Sequence, residues 1–504
     1  MARSLPLEAL LHIFSFLTDD LVSCAVVCRE WQVAAERTTF STLLANSSNL
    51  EDLRRIVGRT STPWRPFFVR KLDFKCILPA YGVQARGRFE DENDRSSNDK
   101  AFTQAVTSLF KVLSSWSDDD RCKLELVIYA RSPGDVESEP DWAKRKIRMQ
   151  KNQAFPDEDL LWARYGSSYL QLTEEAHLSS AKCVVELQVR GSFPYRGFSP
   201  RSVSEIVCRL PRLRVLSANL SDNERRNPTM RDHLRNEFSQ GVANWPPSLR
   251  TLWLNYQGDP AWDESFPLRK RTNPGTDPLC LALHRLTQQL EIVDLTPIMI
   301  GPELFWPASA NKNIPYWPNL TKINVRYASA TPSGTWLFER DPRWRDVSPG
   351  RYHTPTWNEG DPPGEKNINQ FRTMPNRELN ELYLAAGRAA QQMPRLRTMI
   401  LWANIGCSGD GLEEVINANP EHWFQYTSSS ARATWVCTSE FHVAPEVREV
   451  WDAVAKSHGQ SHITIENLGF HVGPESASHT EFYDDKHGFD EDFKKQYGCF
   501  SWDS

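Results

Sequence analysis

No stretch of this 504-residue sequence reaches eighteen apolar residues, so no helix able to cross a bilayer is expected. Paired cysteines are missing too. The ten Cys, from Cys24 to Cys499, form no C-x-x-C pair and no dense framework. That spread excludes a disulfide scaffold and a paired-Cys metal site. It is the usage of free thiols in a reducing compartment, so an intracellular protein is expected. Cys24 and Cys28, four apart on an expected helix, read as small buried thiols. No phosphate-binding glycine loop, H-E-x-x-H or G-x-S-x-G is present either. His458, His462, His471, His479 and His487 fall late in the chain at spacings that match no familiar metal site. A non-catalytic chain without metal or cofactor is the expectation. An excess of charge of one sign is also lacking. Lys and Arg number 59 against 64 Asp and Glu, a net charge of −5, which does not suggest a phosphate-backbone binder. Basic runs at Lys144–Lys151 and Arg269–Arg271 read as solvated loops, so neither nucleic acid nor membrane is an expected partner.

What is present is a soluble balance, 40% hydrophobic and 24% charged, with 18 Trp and 33 Pro. The aromatic and Pro content argues for a rigid, loop-rich body with large aromatic anchors. At this length more than one unit, or an elongated repeat array, is expected.

Residues 4 to 40 read SLPLEALLHIFSFLTDDLVSCAVVCREWQVAAERTTF. The apolar run LLHIFSFL (Leu10–Leu17) is not read as a secretory signal. Glu8 and His12 interrupt it, Asp19 and Asp20 close it, and no small-residue cleavage site follows. Ser4 is an expected helix cap and Pro6 fits a first turn. Leu7, Leu10, Phe14 and Leu17 form a stripe at helical spacing, widened by Leu11 and Ile13. Thr18, Asp19 and Asp20 break the pattern ahead of a second helix near Leu21. A third is expected from Val26 to Glu36, with Val27 and Trp31 on one face. Three helices in about forty residues cannot bury helices apolar on more than one side. Periodicity alone leaves open whether the rest of the chain or another subunit covers the second face.

The residues in their order shift the balance towards another subunit. L-P-x-E at Leu5–Glu8, I-F-x-F-L at Ile13–Leu17, D-L at Asp20–Leu21 and V-C-R-x-W at Val27–Trp31 together resemble the F-box, in order and without insertion. The resemblance implies a three-helix domain that binds the Skp adaptor of a cullin–RING (SCF) ubiquitin ligase, and through it cullin. It implies that Leu5, Pro6, Leu10, Ile13, Phe14, Leu17, Val27, Cys28 and Trp31 line or support that contact. Thr18-Asp19-Asp20 stands where the family commonly has Asp-Pro.

Further on a pattern recurs. LPRLRVLSAN (Leu210–Asn219), WPPSLRTLWLN (Trp245–Asn255), QQLEIVDLT (Gln288–Thr296), WPNLTKINVR (Trp317–Arg326) and MPRLRTMILW (Met393–Trp402) align on L-x-x-[apolar]-x-[apolar]. The anchors Leu213, Leu249, Leu290 and Leu320 recur every thirty to forty residues. VRKLDF (Val69–Phe74), KLELVIY (Lys123–Tyr129) and VVELQVR (Val184–Arg190) are weaker members. The expected unit is a short strand after a tight Pro turn, with helical returns at Ser202–Arg209, Pro278–Leu286 and Glu378–Gln392. The expected fold class is α/β: an N-terminal three-helix F-box, then an irregular leucine-rich-repeat-like solenoid. A compact α/β domain sharing the same alternation is the other reading. F-box proteins with leucine-rich C-terminal regions are common, and the Trp- and Pro-rich style is similar to divergent fungal examples.

Alternation places Val215, Ser217, Asn219; Thr251, Trp253, Asn255; Ile292, Asp294, Thr296; Lys322, Asn324, Arg326; and Thr398, Ile400, Trp402 on an open strand face. Within it Trp253, Asn255, Asp294, Asn324, Arg326 and Trp402 are the candidate contacts to a protein substrate, with Trp253, Arg326 and Trp402 as anchors. Ala85–Lys100, Pro133–Lys151 and Ser348–Asn369 read as solvated linkers. Phe441–His458 reads as a turn and amphipathic helix followed by a strand at His462–Glu466, closing the array. The expected boundaries are 1–45 for the F-box, 60–475 for the substrate-binding domain, and 476–504 for an acidic tail.

Overall fold

The computed structural model describes residues 5–17, 21–59, 61–86, 88–116, 121–135, 164–166, 168–192, 195–222, 227–258, 262–340, 350–351, 367–405, 421–437 and 441–469. Three short helices open the chain: α1 (Leu7–Phe14), α2 (Leu21–Ala25) and α3 (Arg29–Thr39). Leu10, Phe14, Leu21, Cys24, Ala34 and Ala35 form a small core among them, with the Phe14 and Trp31 rings edge to face at 5.4 Å. Pro6 caps α1, whereas the expected cap Ser4 and the Thr18–Asp20 break lie outside the described residues. α3 starts three residues later than its spacing suggests. Cys28 is extended (φ −161°), so Val27 lies in the turn before the helix.

The chain runs from α3 straight into β1 (Thr42–Asn46), the first strand of a twelve-stranded sheet. The sheet therefore begins inside the stretch assigned to the F-box and well ahead of residue 60. β2 (Lys71–Ile77), β3 (Leu124–Arg131), β4 (Val184–Arg190), β5 (Val215–Ser221), β6 (Thr251–Gln257), β7 (Ile292–Ile298) and β8 (Lys322–Tyr327) follow in spatial order, each parallel to the last. An excursion holds β9 (Phe338–Arg340) paired with β12 (Arg372–Pro375), and β10 (Gly350–Arg351) paired with β11 (Asn367–Ile368). β13 (Thr398–Asn404) then joins β8 in parallel. After it the direction alternates: β14 (Glu421–Thr427) is antiparallel to both β13 and β15 (Arg432–Cys437), and β16 (Thr464–Gly469) runs parallel to β15. The large sheet is thus mostly parallel, and its neighbours in space are neighbours in sequence.

The alternation of the strands explains the single large core. Leu72, Leu126, Leu187, Leu216, Leu252, Val293, Ile323 and Met399 stand in lateral register across eight strands, all buried. The recurring anchors Leu213, Leu249, Leu290, Leu320 and Leu396 are buried two residues before each strand. Helices cover that same face: α4 (Leu50–Val57), α5 (Arg65–Phe68), α6 (Glu92–Ser114), α7 (Pro200–Cys208), α8 (Pro228–Val242), α9 (Pro278–Thr287), α10 (Arg377–Ala390) and α11 (Pro445–Ser457). Several share one start signal. Ser199, Asn227 and Asp277 each cap the third backbone N–H beyond them, and Pro occupies the first helical position. At Gly241 an added Cβ would lie 2.3 Å from Ser204 Cβ, so α7 and α8 approach closely only because that side chain is absent.

Ala85–Lys100 is not a linker. It contains the start of α6, a 23-residue helix capped by Asp91. Its charges are not all solvated: Glu90 is buried and paired with Arg196 at 2.7 Å, and Arg164 pairs with Asp94 at 3.2 Å. Those partners come from 70 and 106 residues away. Most of Pro133–Lys151 and of Ser348–Asn369 lies outside the described residues, as does the 476–504 tail. The helix of Phe441–His458 is present as α11, and the strand after it begins at Thr464 rather than His462.

Candidate interaction surfaces

The N-terminal helices divide the expected adaptor-binding residues into two groups. Leu10 and Phe14 face inward and form the small core, while Leu17 and Trp31 are half-buried against it. These four support the surface. Leu5, Pro6, Ile13, Val27 and Cys28 are exposed. Three further apolar side chains stand with them: Phe16 (73% exposed), Val22 (78%) and Val26 (82%). Val22 stands on α2, where Leu21 and Cys24 are the buried residues, and Val26 lies in the turn that follows the helix. Both were legible in the sequence as apolar residues, and Phe16 lies inside the quoted I-F-x-F-L. An isolated exposed Val needs no account, but this set joins Leu5, Ile13, Phe16, Val22, Val26 and Val27 on one small unit. Covering four such side chains is worth on the order of 6–12 kcal/mol at full burial.

The last helix of this unit is fixed to the body that follows it. Glu36 of α3 is buried and accepts from Trp64 Nε1 (3.1 Å), Arg65 Nε (3.1 Å) and Gln32 Nε2 (2.9 Å), with Arg65 Nη2 in an ion pair. Burial alone would raise the Glu36 pKa, and Arg65, Gln32 and Trp64 more than offset it, so the carboxyl titrates below its ordinary value. Arg65 also donates to Ile56 O at 2.8 Å and lies over the Phe40 ring. One carboxylate thereby ties the end of the helical unit to α5 and, through Arg65, to α4.

The second candidate surface is the open face of the sheet. The expected alternation is present: Val215, Ser217 and Asn219, then Thr251, Trp253 and Asn255, then Ile292, Asp294 and Thr296 are half-buried, while the residues between them are core. On β8 and β13 the face is drier. Asn324 and Ile400 are buried, and Ile400 packs with Trp423, Val436 and Trp402 in a separate apolar cluster. Register sets Ser217, Trp253, Asp294, Asn324 and Ile400 side by side on successive strands.

Four of the six candidate contacts form one connected chain. Asp294 accepts from Thr296 Oγ1 (2.7 Å) and Asn324 Nδ2 (3.1 Å); Asn324 Oδ1 accepts from Trp402 Nε1 (3.2 Å); Arg326 lies 4.8 Å from the Trp402 ring centroid. Burial raises the Asp294 pKa to about 6, with Thr296 and Asn324 acting against it. Trp253 adjoins Asp294 across the strands, and Asn255 follows on the same edge. Nearer β2, Arg190 lies beside the paired Tyr129 and Tyr195 rings, 5.9 and 5.8 Å from their centroids, a cation that the strand patterns did not single out. Among the described residues no group of three or more His, Cys, Asp or Glu could hold a metal ion, and no helix is long and apolar enough to cross a membrane.

Comparison with known families finds two matches. The F-box-like family matches residues 2–42, which spans α1, α2 and α3. A family of unknown function, DUF6546, matches residues 369–481, from β12 through the last described strand. No curated protein matches the chain. The N-terminal unit is an F-box-like region, joined to a mixed α/β body with a large, mostly parallel sheet.

Proposed function

We propose that this chain is an F-box adaptor: it binds the Skp subunit of a cullin–RING ubiquitin ligase and presents a protein substrate for ubiquitination. The observation that carries this reading is the set of uncovered apolar side chains on the F-box-like domain, Leu5, Ile13, Phe16, Val22, Val26 and Val27. Apolar side chains grouped in this way favour a foreign protein surface over water. The role of the rest is that of a leucine-rich-repeat-like solenoid, supported by the sequential parallel strands, with the substrate on the open face. Trp253, Asn255, Asp294, Asn324, Arg326 and Trp402 are the contacts on that face. The chain itself performs no bond chemistry, takes no cofactor, and raises the effective concentration of target at the transfer centre of the ligase inside the cell.

A non-ligase F-box protein, scaffolding other proteins with the Skp adaptor, is the second reading. It shares the uncovered surface and differs in whether cullin follows. Affinity purification from native cells, compared between the wild-type chain and a Leu5→Ala/Pro6→Ala/Ile13→Ala variant, tests both. The variant is expected to lose the adaptor and keep its substrates. Cullin recovered with the wild type supports the ligase reading, and adaptor without cullin supports the scaffold. Wild type that captures no Skp removes both.

A further inference from the structure

Toward β1 the open face carries a row of side chains that can donate hydrogen bonds and that includes no carboxylate. Register sets Asn46, Lys75, Tyr129, Arg190 and Asn219 side by side on five successive strands, β1 to β5. All five are half-buried. Two of them are cations. On the same face Lys71 pairs with Glu125 at 2.5 Å and Arg432 with Glu466 at 3.6 Å, but Lys75 and Arg190 lie in no ion pair among the described residues. Asp73, two residues before Lys75, faces the Tyr129 hydroxyl.

The surroundings of Arg190 leave donors over. It stands beside the Tyr129 and Tyr195 rings, which pack edge to face at 5.1 Å. Its guanidinium donates to Tyr195 Oη at 3.4 Å and to Gln188 Oε1 at 3.5 Å, both longer than an ordinary hydrogen bond. Each terminal nitrogen has a second N–H beyond these bonds, and the Tyr195 hydroxyl, accepting from Arg190, retains its own hydrogen. Lys75 and Arg190 stand on strands about 10 Å apart, a gap that two long side chains can close on one anion.

Surplus donors beside two unpaired cations suit an oxyanion, and the neighbouring rows limit its charge. Glu125, Glu186, Asp73 and Asp294 stand on the two rows that precede this one. A nucleic-acid backbone, charged at every step, meets repulsion from those rows. A single carboxylate seated between Lys75 and Arg190 does not, and its planar fork matches a guanidinium.

We infer that Lys75 and Arg190 anchor a glutamate or aspartate side chain in an acidic segment of the bound protein substrate, with the Tyr195 hydroxyl donating to the same carboxylate. This rests on the open face being the substrate surface and adds the chemistry of what that surface selects.

The test uses the full chain, with and without purified Skp adaptor, and a fluorescein-labelled Gly/Ser nonapeptide carrying three glutamates, read by fluorescence anisotropy at fixed ionic strength. Glutamine and phosphoserine versions of the peptide and a single-stranded oligodeoxythymidine are the comparisons. The glutamate peptide is expected to bind most tightly, and the glutamine peptide not above background. Arg190→Gln is expected to weaken the glutamate peptide about tenfold, the scale of a lost charge-assisted hydrogen bond. Lys75→Gln is expected to weaken it about threefold, the scale of a partly exposed ion pair. Arg388→Gln, an exposed cation on the helical layer, is expected to change binding less than twofold, which separates a site from bulk charge. Thermal unfolding of both face variants checks the fold, and Lys75→Gln carries the test if Arg190→Gln does not fold. Equal binding of the glutamate and glutamine peptides, unchanged affinity in the folded face variants, or an equal loss in Arg388→Gln overturns the inference. So does tighter binding of the phosphoserine peptide or the oligonucleotide. Skp capture is scored in the same samples, so a failure of the adaptor reading is seen separately from a failure of the carboxylate site.

Discussion

The two candidate surfaces are incomplete in opposite senses. The F-box-like domain leaves carbon uncovered: Phe16, Val22 and Val26 are each more than 70% exposed over a core of only six buried side chains. The sheet face leaves polarity unanswered: its side chains bond mainly to one another, and what remains is a pair of cations, Lys75 and Arg190, without a carboxylate among the described residues. An apolar surface gains free energy from almost any well-fitting apolar partner, whereas a lone charge gains only from its complement. The first arrangement suits a standing partner, the second a discriminating one.

Breaking the apolar side is expected to produce the largest effect. Val22→Asp with Val26→Asp puts two charges where a covered surface is required. Affinity for purified Skp should fall on the order of a hundredfold or more, with the circular dichroism spectrum and melting temperature unchanged. Unchanged affinity would mean that the adaptor, if it binds, binds elsewhere.

The joint between the two regions comes next. Glu36→Ala leaves the half-buried Arg65 guanidinium without its carboxylate and is expected to cost about 2 kcal/mol in urea unfolding. Because the folded pKa of Glu36 is depressed, its contribution is fully present above the ordinary carboxyl range and disappears as pH falls through the folded value. Wild type and variant should therefore converge in acid. A variant that stays as stable as wild type at neutral pH would show that the helical unit is held by β1 and α5 packing alone.

Asp294 should behave in the reverse way. Its folded pKa, about 6, lies above the ordinary 3.8, so the ionised form is disfavoured in the folded chain. The penalty is present above pH 6 and is relieved as pH falls toward 4. Asp294→Asn is expected to raise stability by about 1 kcal/mol at pH 7, after discounting for solvent screening, and to add nothing at pH 4. Loss of stability at pH 7 would mean that the carboxylate is structural. The smallest effect is local: Asn227→Ala removes one helix cap from α8 and should cost about 1 kcal/mol without touching either surface.

The repeats were legible because each depends on information a few residues long. Leu213, Leu249, Leu290 and Leu320 two residues before a strand, with every second residue apolar, suffice to place four strands and to sort their faces. VRKLDF, KLELVIY and VVELQVR are equal members of the same sheet, although their repeat lacks the Pro turn. Ser199-Pro200, Asn227-Pro228 and Asp277-Pro278 were equally local signals, and only the helices after the first and third were anticipated. Val22 and Val26 were missed because exposure, unlike spacing, depends on where the neighbours pack.

By itself the sequence determined the period of the strands, the apolar excess of the first helices, and the absence of any paired-Cys or nucleophile motif. Those follow from side-chain alternation and composition. Tertiary structure decided the rest. Ala85–Lys100 reads as a charged linker until Arg164 and Arg196, far along the chain, arrive beside Asp94 and Glu90 and make burial of those carboxylates possible. The sheet's reversal at β14, and the tie between Glu36 and Arg65, depend likewise on partners that approach only after folding. A charge shows its cost or its use only once the chain has placed, or failed to place, an opposite charge beside it.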